Sequence, residues 1–257
     1  MTFTDLVSQI SEFKNTATLY PNYLFRGQAD NSWGLEPSLT RIAIKRQLTR
    51  QETLQLEREC INKFSISSRN LLPVENTISL LPDMNGDLDF LGWGVVMQHY
   101  SAPTRLLDWS FSPWVALYFA CCEQDKDASI FIADYRKVVA DGDSRLRTIG
   151  KGFYKLSTEQ DSQDILHFIT SRNTNERIEA QQGMFSACTN PLIDHKQLIK
   201  NVGGLHEIVI PQHMKHEIMS ELYRMNITAK TLYPGIDGLG KSTYEYCNLW
   251  DKRSIIN

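Results

Sequence analysis

Arg26 closes the short apolar run Tyr23-Leu24-Phe25 and is followed at once by Gly27 and Gln28. A guanidinium at the end of a strand-like run needs a partner, because an unpaired buried charge is costly. Two partners suit it: a carboxylate of the same chain, or an anion such as a pyrophosphate, whose oxygens fit the guanidinium fork. The adjacent glycine lets backbone or ligand approach closely. A second concentration of polar groups lies further on, where His99, Thr104, Arg105, Asp108, Trp109, Ser110 and Ser112 crowd around Pro103 and the start of an apolar segment. An Arg105–Asp108 pair with Trp109 in the core accounts for part of that set. Polar groups converging on the start of a buried helix are also what an anion or sugar site requires. A third group, Arg177, Glu179, Gln181 and Gln182, precedes Gly183-Met184-Phe185, and either the glutamate or a glutamine could face a cleft.

Two other motifs compete for attention. Gly235 to Ser242 satisfies the G-x-x-x-x-G-K-[ST] pattern of phosphate loops. Such a loop follows a strand, opens a helix and needs a later strand with a metal-binding aspartate. Here Pro234 interrupts the strand and too little chain follows, so the expectation is a tight turn on Pro234-Gly235 and Asp237-Gly238. A nucleotide hydrolase would instead require magnesium and Lys241. His213 and His216 have the spacing of a metal pair on a helix, but no third ligand is near, and Lys215 and Glu217 beside them suggest a solvated face.

The elements that must position these groups follow from periodicity and breakers. Helices are expected over 3–19, 42–70, 86–100, 113–123 and 213–224, with a further one over 161–170. Ser112-Pro113 is a helix start, a hydroxyl N-cap followed by proline. Strands are expected over 23–26, 129–133, 184–187, 207–210 and 229–233. Pro73 and Pro82 bracket a looser stretch, and 137–157 reads as polar and irregular. The chain has 257 residues, 42% hydrophobic and 22% charged, with a net charge of -3, and its pI is about 6.1. These values suit one mixed α+β domain with a sizeable core. They carry no global basic signature of nucleic-acid binding, and a local basic patch stays open. The start lacks signal-peptide character and the apolar runs are too short to span a bilayer, so a cytosolic (cytoplasmic) protein without membrane association is expected. Five cysteines without a CxxC pair suggest reduced, mostly buried thiols.

Taken in order, the motifs resemble the FRG domain family. The matching stretches are Phe25-Arg26-Gly27-Gln28; Trp33 with Pro37-Ser38-Leu39 and Arg41; Gln98-His99-Tyr100; and Pro103 to Trp109. Then come Ala116 to Ala120, Arg177 with Gln181 to Phe185, and Leu232 to Leu239. The resemblance covers roughly residues 20–245 and implies a single FRG domain over 1–257, with a short N-terminal helix and a C-terminal tail. Leu24-Phe25-Arg26-Gly27 is also similar to the first-strand motif of arginine-serine-glutamate ADP-ribosyltransferases. Asp108-Trp109-Ser110 occupies the Ser-Thr-Ser slot of those enzymes, and the helix after it matches at Ala116 to Ala120.

What that second resemblance implies is an ADP-ribosyltransferase-like, split, mostly antiparallel sheet with flanking helices, and an NAD-consuming enzyme. It would cleave the nicotinamide–ribose bond and pass ADP-ribose to a protein or nucleic-acid acceptor, as toxins and antiviral defence effectors do. Arg26, Ser110 and either Glu179 or Gln181 would be catalytic. Arg26, Gly27, Gln28, His99, Thr104, Arg105, Asp108, Trp109 and Ser110 would bind NAD, and no metal is implied. Gln181 matches the FRG pattern better than Glu179, and a glutamine neutralises a cation less well than a carboxylate. Asp108 could then take that part, or the protein could be a binding module for a nucleotide or ADP-ribose without turnover.

Overall fold

The computed structural model describes residues 2–15, 21–68, 71, 90–123, 125–170 and 176–250. Helices α1 (Phe3–Ser11), α2 (Ser38–Lys45), α3 (Arg50–Ser68), α4 (Phe90–His99) and α5 (Pro113–Cys121) alternate with strands β1 (Tyr23–Gln28) and β2 (Leu107–Ser110). Strand β3 (Ala128–Asp134) leads into α6 (Tyr135–Ile149) and α7 (Phe153–Leu156). There follow β4 (Leu166–Ile169), α8 (Glu176–Ala180), β5 (Gly183–Cys188), α9 (His195–Asn201) and β6 (Leu205–Ile210). The described chain ends with α10 (Lys215–Arg224), α11 (Ala229–Leu232) and α12 (Ile236–Leu249).

The fold is α+β, with a six-stranded open sheet in the order β4-β5-β2-β1-β3-β6. Every neighbouring pair is antiparallel. Alternation along the strands sends side chains to two cores. Phe25, Ile130 and Ile132 pack with Val115 and Leu117 of α5, Ile218 and Leu222 of α10, and Leu6 of α1. Leu24, Phe131 and Ala133 point the other way, to Trp109, Val138 and Ile199. Both faces of β3 are therefore buried, which explains its continuous apolar run Ile130–Ala133. Helix α5 starts where Ser112 caps the Val115 N–H and Pro113 takes the first turn, and its nearly all-apolar sequence suits its place against the sheet.

The six strands form one sheet, but its centre is thinly stitched. Strands β1 and β3 share six register pairs, whereas β1 and β2 meet only at Phe25↔Ser110. Continuing that register would set Gly27 opposite Asp108; instead the ladder stops. This notch is where the candidate site lies.

Several elements differ from the sequence reading. The segment 229–233 is helix α11, not a strand, because Thr228 and Thr231 form a reciprocal capping box. Residues 161–170 hold strand β4, since pairing with β5 overrides local propensity. Residues 137–157 contain α6 and α7; Asp134 caps α6, and Gly150, with φ 71°, ends it. The helix read over 42–70 is two, broken where Gln47 takes φ 56°. Helix α1 ends at Ser11, and residues 16–19 of that reading lie outside the described residues. So do residues 86–89 of the helix read over 86–100 and the stretch from Pro73 to Pro82. His213, His216 and Glu217 are exposed, as the solvated-face reading expects, but Lys215 among them is wholly buried. Its Nζ donates to the carbonyls of Ala29 and Glu123. Only Cys121 and Cys188 of the five cysteines are buried. Among the described residues no helix is long and apolar enough to cross a membrane, and no cluster of His, Cys, Asp or Glu could hold a metal ion.

Candidate functional site

A cavity of about 900 Å³ opens at the β1–β2 notch, a volume within the upper range of small-molecule pockets. Arg26 spans the notch. Its Nη1 donates to the Asp108 carbonyl at 2.8 Å, replacing the missing ladder bond. Its Nε–H is buried and has no partner among the described residues. Burial lowers the guanidinium pKa, the Asp108 charge opposes that, and the nearby charge of Arg41 adds to it. Arg26 stays cationic regardless.

Two more arginines line the same cavity. Arg41 donates to the Glu36 carbonyl at 2.6 Å. Arg177 donates to the His99 carbonyl at 3.1 Å and stacks over Tyr233 at 4.8 Å. Among the described residues none of the three forms an ion pair with a carboxylate; the salt bridges of the chain lie elsewhere. Three guanidinium groups held by neutral carbonyls around one cavity form an electropositive cradle. Carboxylates are present as well, in Glu36, Asp108 and Glu123. The Asp108 carboxylate accepts from Gln98 Nε2 at 2.8 Å, and Gln98 is itself held by Thr104 Oγ1 at 2.5 Å. Thr104 thus aligns Asp108 at one remove and does not line the cavity.

Ser110 and Gln181 meet elsewhere in the cavity lining. Ser110 Oγ donates to the Gln181 carbonyl at 2.8 Å and accepts the Ser112 N–H at 3.0 Å. Gln181 Nε2 donates to the Leu232 carbonyl at 3.0 Å. Both residues line the cavity. Glu179 sits exposed on the short helix α8 and does not. His99 lines the cavity half-buried, and burial together with the Arg177 charge holds its imidazole below the ordinary 6.5.

Gly27 meets the backbone approach that the sequence allowed for it, whereas Arg105 has a structural task that the sequence did not reveal. A Cβ on Gly27 would lie 1.8 Å from the Ala116 carbonyl oxygen, so this glycine lets α5 touch the strand. Arg105 is not in the cavity and does not pair with Asp108. It is 2% exposed and forms a buried ion pair with Glu57 of α3, and it also donates to the carbonyls of Ser157, Cys188 and Thr189. Trp109, on the cavity floor, donates its indole N–H to Ser186 Oγ at 2.8 Å. Ser186 in turn contacts His195 Nδ1 at 2.9 Å. Burial, with the Arg26 and Arg105 charges, pushes the His195 pKa down to about 3.

The phosphate-loop look-alike has a different construction. Gly235, with φ 113°, caps α12, and Asp237 to Ser242 are helical rather than a glycine loop. A Cβ on Gly238 would lie 1.8 Å from the Tyr233 carbonyl oxygen, so this glycine serves α11–α12 packing. Lys241 Nζ rests 3.9 Å over the Tyr233 ring. Sequence reasoning assigned no role to Trp33, Arg41, Arg177 or Tyr233, though all four belong to the quoted motifs; all four line the cavity. Their signal was the recurrence of arginines and aromatics outside apolar periodicity, which identifies exposed positions but not a shared wall.

Residues 21–129 match the family model of the FRG domain, which supports the FRG family over the segment from β1 into β3. Neither a curated protein nor a solved structure matches the chain.

Proposed function

We propose that the chain is an FRG-family, ADP-ribosyltransferase-like enzyme that consumes NAD. The observation that carries this reading is the cradle of Arg26, Arg41 and Arg177, without carboxylate partners among the described residues, facing the cavity that Ser110 and Gln181 also line. A dinucleotide pyrophosphate supplies the anion such a cradle lacks, and Arg26 with Arg41 would clamp it. The C1′–N bond of the nicotinamide ribose breaks with its electron pair leaving on nicotinamide. The acceptor heteroatom of a protein or nucleic acid bonds to C1′ and releases its proton. The cationic sugar between these events needs a carboxylate. Asp108, aligned by Gln98, takes that part in place of Glu179. Ser110 and Gln181 position the ribose.

The test is nicotinamide release and label transfer from isotope-labelled NAD, with and without cell lysate. Arg26→Ala is expected to lower release by about a hundredfold or more, whereas Lys241→Ala changes it little. The reverse pattern would overturn the reading. A specific observation favours a second reading, a nucleotide or ADP-ribose binding module. Gln181, not a carboxylate, lines the wall, and the Ser110 proton is already committed to a carbonyl. Calorimetric binding of NAD without any nicotinamide release would select that reading.

A further inference from the structure

We propose that Trp33 is the stacking platform for the purine base of a free nucleotide, and so sets the direction in which the ligand lies in the cavity. The inference rests on the nucleotide reading above and deepens it. Trp33 lines the cavity yet is 51% exposed. Its indole makes no ring contact or side-chain hydrogen bond among the described residues. A large aromatic left open beside a cationic cradle is the arrangement by which proteins hold a base by its π face while guanidinium groups hold the phosphate.

The order of groups along β1 gives the direction. Phe25 is registered with Ser110 at one end of the notch. Gln28 lies three residues further, about 10 Å away at strand rise. Its Nε2 donates at 3.0 Å to the carbonyl of Gly34, the residue after Trp33. Arg26 lies between, close enough to Arg41 to feel its charge. At the first end Ser110 bonds Gln181, and Gln181 bonds the residue before Tyr233. The cavity thus reads as a hydroxyl-and-amide end at Ser110–Gln181, where Arg177 already covers the Tyr233 ring, a cationic middle at Arg26–Arg41 and an uncovered aromatic at Trp33. A dinucleotide has the same order: sugar and leaving base, pyrophosphate, purine. On this reading the purine lies at Trp33 and the scissile ribose at Ser110.

Calorimetry with NAD, ADP-ribose and nicotinamide mononucleotide tests this on wild type, Trp33→Ala and Trp33→Phe. Trp33→Ala should weaken NAD and ADP-ribose about tenfold or more, leave nicotinamide mononucleotide unchanged, and be largely rescued in Trp33→Phe. Thermal melting of both variants should match wild type, since the ring is exposed. An equal loss for all three probes, a loss confined to nicotinamide mononucleotide, or no loss would overturn the proposal. If Arg26-dependent nicotinamide release persists while Trp33→Ala alters no probe, this inference falls and the enzymatic reading stands. If ADP-ribose binds through Trp33 but NAD is never split, the platform stands and the enzymatic reading falls. Failure of wild type to bind any of the three overturns both.

Discussion

Arginine carries three different tasks in this chain, and its chemistry is decided by what each guanidinium meets. Arg26 meets a carbonyl and an open cavity. Arg105 meets Glu57 in a setting closed to solvent on both sides. Arg177 meets a tyrosine face. The contrast leads to a prediction at this scale. Glu57→Ala leaves the Arg105 charge buried without its counter-ion and should destabilise the protein by about 3–5 kcal/mol. The double variant Glu57→Leu with Arg105→Met should recover much of that loss, read by urea unfolding. Arg26→Ala should instead leave stability nearly unchanged while abolishing ligand binding. The Phe-Arg-Gly-Gln motif was legible as a candidate site in the sequence because an arginine after an apolar run calls for a partner. Which of Glu179 and Gln181 faces the cavity was not legible, because one lies in a short helix and the other just past its end, and their directions depend on how that helix docks.

Among the elements, the strand β1 and helix α5 are joined at a contact that admits only glycine. Gly27→Ala would set a methyl group against the Ala116 carbonyl, and backbone cannot yield as a side-chain tip can. The expected cost is about 3 kcal/mol, the upper end of overpacking, seen as a lowered denaturation midpoint with an unchanged urea slope. Gly238→Ala should do the same through α11, whereas Gly240→Ala, with open space around it, should be neutral or slightly stabilising. A glycine engaged with the phosphate of a ligand would give another pattern, lost binding with unchanged stability. Helix α5 was legible from Ser112-Pro113 and its apolar length. Strand β4 and helix α11 were not: the former is imposed by pairing with β5 and the latter by a local capping box, in segments whose apolar periodicity pointed elsewhere.

Across the whole molecule, the buried Trp109–Ser186–His195 chain couples the cavity floor to stability. Folding holds the His195 imidazole at about 3, well below its ordinary 6.5. The unfolded chain therefore binds a proton that the folded chain refuses between those values. Stability is fully expressed above pH 6.5, falls as pH drops towards 3, and levels below that. His195→Gln should flatten the unfolding free energy over this window, measured by urea titration from pH 7 to pH 4. The Asp30 carboxylate, held at about 2 chiefly by its bond to Lys126 and next by Ser32, loses its contribution mainly as pH falls from 3.8 towards 2, so it overlaps the His195 effect only below the pH 7 to pH 4 range of this titration.

The amino-acid order by itself determined the class of fold and the residues worth suspecting. Alternation, N-caps and apolar runs are local, and they specified α+β with β1, β3, β5 and α5 in place. The family motifs likewise follow from residue order alone. Only the tertiary structure decided which suspects share a wall. Arg26, Ser110 and Gln181 come from three strands or strand starts far apart in sequence, and they meet because the sheet order sets β1 and β5 on either side of β2. Arg105 left the site because Glu57, on a distant helix, lies within reach of its guanidinium. The cavity itself exists because the β1–β2 ladder stops after one pair. Strand propensity indicates where strands form, but where two strands part depends on what packs against each of them.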